Sequence, residues 1–184
     1  MAIIKKIENE MKYFEFFKEL LKRNIRRKYF NPVLRAVIIM LIPVLPMLAA
    51  APIMSLLFKE SVPNYPIFFY CGETVFIFLF YCVYCSLKAI KRNAFYIRAS
   101  AAPKHLFVVS AVAEGSVPFI LSLLPLFIII PVTGAMLTLN MLIIPLLFAL
   151  MFMFALGFSL VMTAYAAILG GFNRLYVVIS AVWL

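Results

Sequence analysis

The sequence predicts an all-α membrane protein: an N-terminal amphipathic helix, four complete transmembrane helices and the start of a fifth. Three observations carry this. The 184 residues are 66% hydrophobic and 13% charged, whereas a soluble domain is nearer about half apolar and about a quarter charged. Uncharged stretches recur that are as long as the ~20 residues a helix needs to cross a bilayer. The 17 Lys and Arg are concentrated between those stretches, ten of them before Ala36. The length allows one membrane domain and no large soluble one.

The first 30 residues are patterned. Ile4, Ile7, Met11, Phe14, Phe17, Leu21 and Ile25 recur at steps of three and four, which places them on one helical face. Lys5, Lys12, Glu15, Lys22 and Arg26 lie elsewhere around the helix. A basic amphipathic helix with aromatic residues on its apolar side suits a membrane interface. A helix packed on a partner protein has the same moment. Lys22, Arg23, Arg26, Arg27 and Lys28 are the candidate contacts to anionic lipid headgroups. Asn31-Pro32 then breaks the helix.

The first span is expected over 34–58, with no charge between Ala36 and Phe58. Pro43, Pro46 and Pro52 are tolerable in lipid and are expected to kink it. KESVPNYP (59–66) is a polar turn, and 67–87 a second span containing one charge, Glu73. Residues 89–107 then read AIKRNAFYIRASAAPKHLF, with four cations, the chain's one histidine and no acid. From Glu114 to Arg174 no charge appears, too long for one helix. PVTGAMLTLN (131–140) is the best breaker, giving spans over 106–131 and 141–166. GGFNR (170–174) is a further turn, and 174–184 reads as a partial fifth span. At about 1.5 Å per residue it is half as long as the ~30 Å hydrocarbon core, so the sequence is expected to be cut off inside an element.

Orientation follows from the basic residues in short loops. Ten lie in the N-terminal segment, one in 59–66, five in 88–104, none in 131–140 and one in 170–174. The N-terminus and residues 88–104 are therefore expected in the cytoplasm. A basic balance can also mean nucleic acid, but beside apolar spans anionic lipid is the better partner.

Several chemistries are excluded. None of the six glycines precedes a lysine, so the phosphate-cradling GxxxxGK[ST] loop is absent and the chain is not expected to hydrolyse ATP. With no aspartate and a single histidine, metal clusters and Ser/His/Asp triads are not expected. Cys82 and Cys85 have CxxC spacing, but no second pair or nearby histidine completes a ligand set. Small buried thiols are the simpler reading.

Two features remain. Glu73 and Glu114 fall within spans, where ionisable groups are costly and often functional, although both could sit near an interface. On the second span Phe69, Glu73, Phe76, Phe80 and Tyr84 are spaced by four, three, four and four, so they share a face. Such a stripe can simply pack or meet lipid. As a pore wall, it could stack on sugar rings and let a glycan slide.

The ordered set of segments resembles the membrane subunit of ABC-2 type transporters, especially exporters of O-antigen, capsule and teichoic acid. Before the first span that family typically reads RRDLKxRYKxSxLGxLW, matched by Arg26, Arg27, Lys28, Tyr29 and Leu34, with Asn31-Pro32 departing from the usual small residues. Its outer turn typically reads PNFPxxLLxG, matched by Pro63, Asn64, Tyr65, Pro66 and Gly72. Its cytoplasmic segment typically reads NAxLIxKxxFPRExLP, matched by Asn93, Ala94, Ile97, Arg98, Pro103 and Lys104, with His105 where an acid is usual.

The resemblance implies a homodimeric permease of six spans per subunit in a bacterial inner membrane. It also implies two copies of a separate ATPase that bind ATP and Mg, and a lipid-linked glycan substrate. Residues 89–105 would be the coupling segment that docks on the ATPase, with Lys91, Arg92, Asn93, Arg98, Pro103, Lys104 and His105 as candidate contacts. The alternatives are an ABC-2 exporter of a drug or lipid, and a truncated membrane scaffold that does not transport. On charge alone, 89–105 is also explained as a loop on the positive side of the membrane.

Overall fold

The computed structural model describes residues 2–28, 32–58, 64–99, 103–132, 143–169 and 172–183. Among the described residues seven helices follow one another: α1 (Ala2–Lys28), α2 (Pro32–Phe58), α3 (Tyr65–Arg92), α4 (Ala94–Ala99), α5 (His105–Val132), α6 (Ile144–Ile168) and α7 (Phe172–Trp183). No strand occurs among the described residues. α2, α3, α5 and α6 are long and apolar enough to cross a membrane, so the chain reads as a multi-pass membrane protein.

The helices begin and end where the residues dictate. α1 contains neither glycine nor proline, the two residues that most weaken a helix interior. α2 begins at Pro32, whose missing N–H costs nothing in a first turn, and it stays helical through Pro43, Pro46 and Pro52. Asn64 has φ 57°, a left-handed conformation that asparagine tolerates better than most residues. Its carbonyl accepts the amides of Ile67 and Phe68 at 3.0 and 3.3 Å and so starts α3. Residues 59–63 and 133–140 of the two expected turns lie outside the described residues, while Tyr65 and Pro66 already belong to α3 and Pro131 and Val132 still to α5.

Most boundaries differ from the sequence reading by one to three residues, and two of the differences bear on the basic end and the last helix. α3 does not stop at residue 87 but carries Lys88, Lys91 and Arg92 in its last turns, so the first part of the expected loop is helix. Cations there favour continuation, because they face the negative end of the helix dipole. Residues 172–174, read as turn, are the start of α7.

The chain divides into two compact units. One comprises Asn31–Phe80 and Ser116–Phe152. Its core holds Met47, Tyr70, Leu126 and Ile130, with Val44, Ile67, Phe69 and Ile129 packed against them. Tyr70 donates its hydroxyl proton to the Ser122 carbonyl. A second knot is aromatic: Phe78 lies 4.8 Å from Phe119 and 6.0 Å from Phe148, which stacks on Phe119 at 5.2 Å. Each such ring pair adds about 0.5–1.5 kcal/mol beyond the area buried.

The other unit comprises Met1–Phe30, Tyr81–Gly115 and Met153–Leu184. Here α3 and α5 meet through small side chains. Cys85, Ala89 and Ala111 form the contact, flanked by Tyr81 and Tyr84. A Cβ on Gly115 would lie 2.6 Å from the Cys82 sulfur, so only glycine permits this approach. Small residues at membrane helix contacts let backbones come close. Three buried hydroxyls donate within their own helices, Ser86 to the Cys82 carbonyl at 2.8 Å, Ser110 to Phe107 at 2.9 Å and Thr163 to Ser159 at 2.6 Å, while the Ser159 hydroxyl is buried without a hydrogen-bond partner.

Candidate functional site at the basic end

The basic residues of α1, α3, α4 and the start of α5 fall in one unit, which makes its charged end the candidate site. Asn93 is the joint between α3 and α4. Its amide donates to the Ala89 carbonyl at 3.0 Å and its own carbonyl accepts from Ile97 at 2.9 Å. The side-chain Nδ2 donates to Ala89 as well, at 2.9 Å. Asparagine can thus finish one helix and open the next.

The joint is held from two sides. The Arg23 Nη2 of α1 donates to Asn93 Oδ1 at 2.6 Å, while the same guanidinium lies 4.4 Å from the centre of the Tyr96 ring. From α5, the Glu114 carboxylate accepts from the Arg92 Nη2 at 2.9 Å. Asn93 and Glu114 are both fully buried. An ionised carboxylate survives burial only when paired, and Arg92 supplies the pair. The sequence alone left Glu114 open between interfacial and deep; the structure makes it an internal ion-pair partner.

α1 docks with a face other than its most apolar one. Phe16 meets Phe107 edge-to-face at 5.8 Å, and Leu20 and Asn24 are buried. Phe14, on the expected apolar face, is 68% exposed, while Phe17, Leu21 and Ile25 are half-buried. At about 100° per residue α1 therefore has three sectors: a docked one through Phe16, Leu20 and Asn24, an apolar one through Phe17, Leu21, Phe14 and Ile25, and a charged one through Lys22, Glu15 and Arg26. Periodicity showed the apolar sector. It missed the docked one, because Arg23 and Asn24 read as polar surface.

The remaining candidate residues are placed as follows. Lys91, Arg92, Arg98, Lys104 and His105 are exposed and Pro103 is half-buried. Lys22 and Arg26 are exposed, whereas Arg23 faces Asn93 and Tyr96. The side chains of Arg27 and Lys28 lie outside the described residues. On the α3 stripe, Phe76 and Phe80 stack at 5.6 Å and Phe76 is 40% exposed. Phe69 belongs to the packed core around Tyr70, and Glu73 is half-buried. Tyr84 lies in the other unit, against the Cys85–Ala111 contact and capped by Lys88, whose Nζ sits 4.1 Å from the ring centre.

Phe95 went unnoticed in the sequence, since one aromatic residue in a basic segment carries no periodic signal. It stands 76% exposed on α4, 5.7 Å from Tyr96 and perpendicular to it.

Compared with known proteins, the chain matches no family model, no curated protein and no solved structure.

Proposed function

We propose that the chain is the permease subunit of an ATP-binding cassette exporter that carries a lipid-linked polysaccharide out of a bacterial cytoplasm. It would work as a homodimer with two copies of a separate ATPase, which bind ATP and Mg. In this reading residues 89–105, from the end of α3 through α4 to His105, are the docking segment, and the basic end faces the cytoplasm.

The observation that carries the reading is the way Asn93 is held. A surface loop that merely obeys a charge rule has no need of a fully buried asparagine fixed by an arginine from a helix 70 residues away in sequence. A segment that receives force from a partner does need such fixation, because force passes only through parts that move together. The exposed cations Lys91, Arg98 and Lys104 would meet acidic groups on the ATPase. α1 would lie at the membrane surface, with Phe14, Phe17, Leu21 and Ile25 toward acyl chains and Lys22 and Arg26 toward anionic headgroups. The half-exposed Phe76–Phe80 pair would line part of the glycan path.

The test is transport by the full chain expressed with its ATPase. Lys91→Glu with Arg98→Glu should abolish export while leaving the amount of folded chain unchanged. Unaltered export would remove the docking role. Arg92 is less suitable for charge reversal, because it also holds Glu114.

A further inference from the structure

Two glutamates lie in the interior of candidate spans, and their settings differ. Glu114 is completely buried and has Arg92 at 2.9 Å. Glu73 is half-buried, and its Oε1 is buried with no hydrogen-bond partner. α3 has 28 residues, about 42 Å at about 1.5 Å per residue. Centred on a ~30 Å hydrocarbon core, it overhangs by about 6 Å at each end. Glu73 comes eight residues after Tyr65, about 12 Å along the axis, and so falls inside that core.

Nothing in the interior of its own unit offers a counter-charge. Residues 36–58 of α2, 116–132 of α5 and 144–152 of α6 contain no ionisable side chain. Arg35 is in the first turn of α2, and Lys59 and Glu60 follow its last residue. On α3 the ionisable neighbours are Tyr65, Tyr70 and Cys71, none of them a cation. Tyr70 is buried with its hydroxyl proton given to the Ser122 carbonyl, and Cys71 is exposed. An unpaired carboxylate in hydrocarbon is costly, and a single bound proton removes the charge. A metal ion is the poorer ligand, because hard cations take about six oxygens or more. No group of three metal-ligating side chains occurs among the described residues.

We propose that Glu73 is a proton-binding site within the membrane, its carboxyl held neutral at physiological pH and exchanging its proton on the side of Phe76. That side is the open one: Phe76, one turn further along the same face, is 40% exposed. Release of the proton places a negative charge on the face that carries Phe76 and Phe80. The two intramembrane acids thus divide their roles, Glu114 as a fixed ion-pair partner and Glu73 as the group that loads and unloads. The proposal needs only that α3 crosses a membrane, and stands apart from the permease reading.

The experiment uses the full chain in phosphatidylcholine vesicles with dicyclohexylcarbodiimide, an apolar reagent that captures neutral carboxylic acids. The acid's proton passes to one carbodiimide nitrogen while its oxygen bonds the central carbon, and an oxygen-to-nitrogen acyl shift leaves a stable N-acylurea. Mass spectrometry should find this adduct at Glu73 and not in Glu73→Gln, whose melting temperature should match wild type because glutamine keeps the shape of the neutral acid. The labelling rate should change less than about twofold between about pH 5 and about pH 7, an interval over which an ordinary glutamate loses its acid form about 80-fold. Replacing choline chloride by sodium chloride should leave the rate unchanged. In parallel, infrared difference spectra of chain carrying isotope-labelled glutamate should show a neutral-acid C=O stretch at neutral pH that Glu73→Gln lacks. Absence of that band, a rate that collapses toward neutral pH, or protection by sodium overturns the proton site. A band without any adduct overturns exchange on the Phe76 side.

Discussion

Arg92 and Glu114 are joined by a 2.9 Å ion pair in which the arginine is one-third exposed and the carboxylate is completely buried. This asymmetry sets what each substitution should do. Arg92→Leu removes the cation that faces a buried carboxylate and should destabilise the chain by about 3 kcal/mol, the lower end for a broken buried pair. Glu114→Leu leaves an arginine that can reach water, and should cost distinctly less. The double Leu variant should be closer to wild type than Arg92→Leu alone. Thermal unfolding in detergent measures all three; equal losses for the two single changes would show that the pair does not sit as described.

Arg23→Ala should release α1 from the joint. The bond to Asn93 involves a charged donor, and such bonds contribute about 1.5–3 kcal/mol, with the cation–π contact to Tyr96 added. Arg23→Lys should rescue poorly, because an ammonium cannot reproduce the planar guanidinium that bonds and stacks together. Amide hydrogen exchange should accelerate over 13–26 in both variants. Unchanged protection there would mean that Phe16 and Leu20 alone hold the helix.

Gly115→Ala should destabilise by about 1–3 kcal/mol, the usual cost of overpacking, because its new methyl would overlap the Cys82 sulfur at 2.6 Å. Adding Cys82→Ala removes that sulfur and should return part of the loss. The melting temperatures of the two single variants and the double variant give the coupling directly. Strict additivity would contradict the close approach of α3 and α5.

How much of this was legible beforehand varies by element. α2, α5 and α6 could be read from their long, nearly uncharged stretches, and the extent of α1 from its periodicity, because burial of apolar surface is a property of whole stretches. The close of α3 was misplaced by a few residues, since cations that signal a loop by charge also stabilise a helix C-terminus. The joint was the least legible part. Asn93 and Arg92 were noticed as candidate contacts through a resemblance, but their partners Arg23 and Glu114 come from α1 and α5, 70 and 22 residues away. No local pattern announces a tertiary pairing between single polar residues. Cys82 and Cys85, expected to be small buried thiols, are both buried in α3.

On the proposed permease reading, the cargo class is tested at Phe76 and Phe80, stacked at 5.6 Å. If sugar rings slide along them, Phe76→Ala with Phe80→Ala should strongly reduce export while the melting temperature changes little, Phe76 being 40% exposed. Intact export of a small lipid or drug by the same variant would point to that cargo class instead.

The central claim is that an ATPase drives this chain through its basic end. The most direct measurement is ATP hydrolysis by the purified ATPase partner with and without the full chain in lipid vesicles, repeated with Lys91→Glu and Arg98→Glu combined. The account predicts that the wild-type chain binds the ATPase and alters its hydrolysis rate several-fold, and that the charge-reversed chain, folded to the same extent, does neither. Hydrolysis indifferent to the wild-type chain, or equally altered by the charge-reversed one, would contradict it.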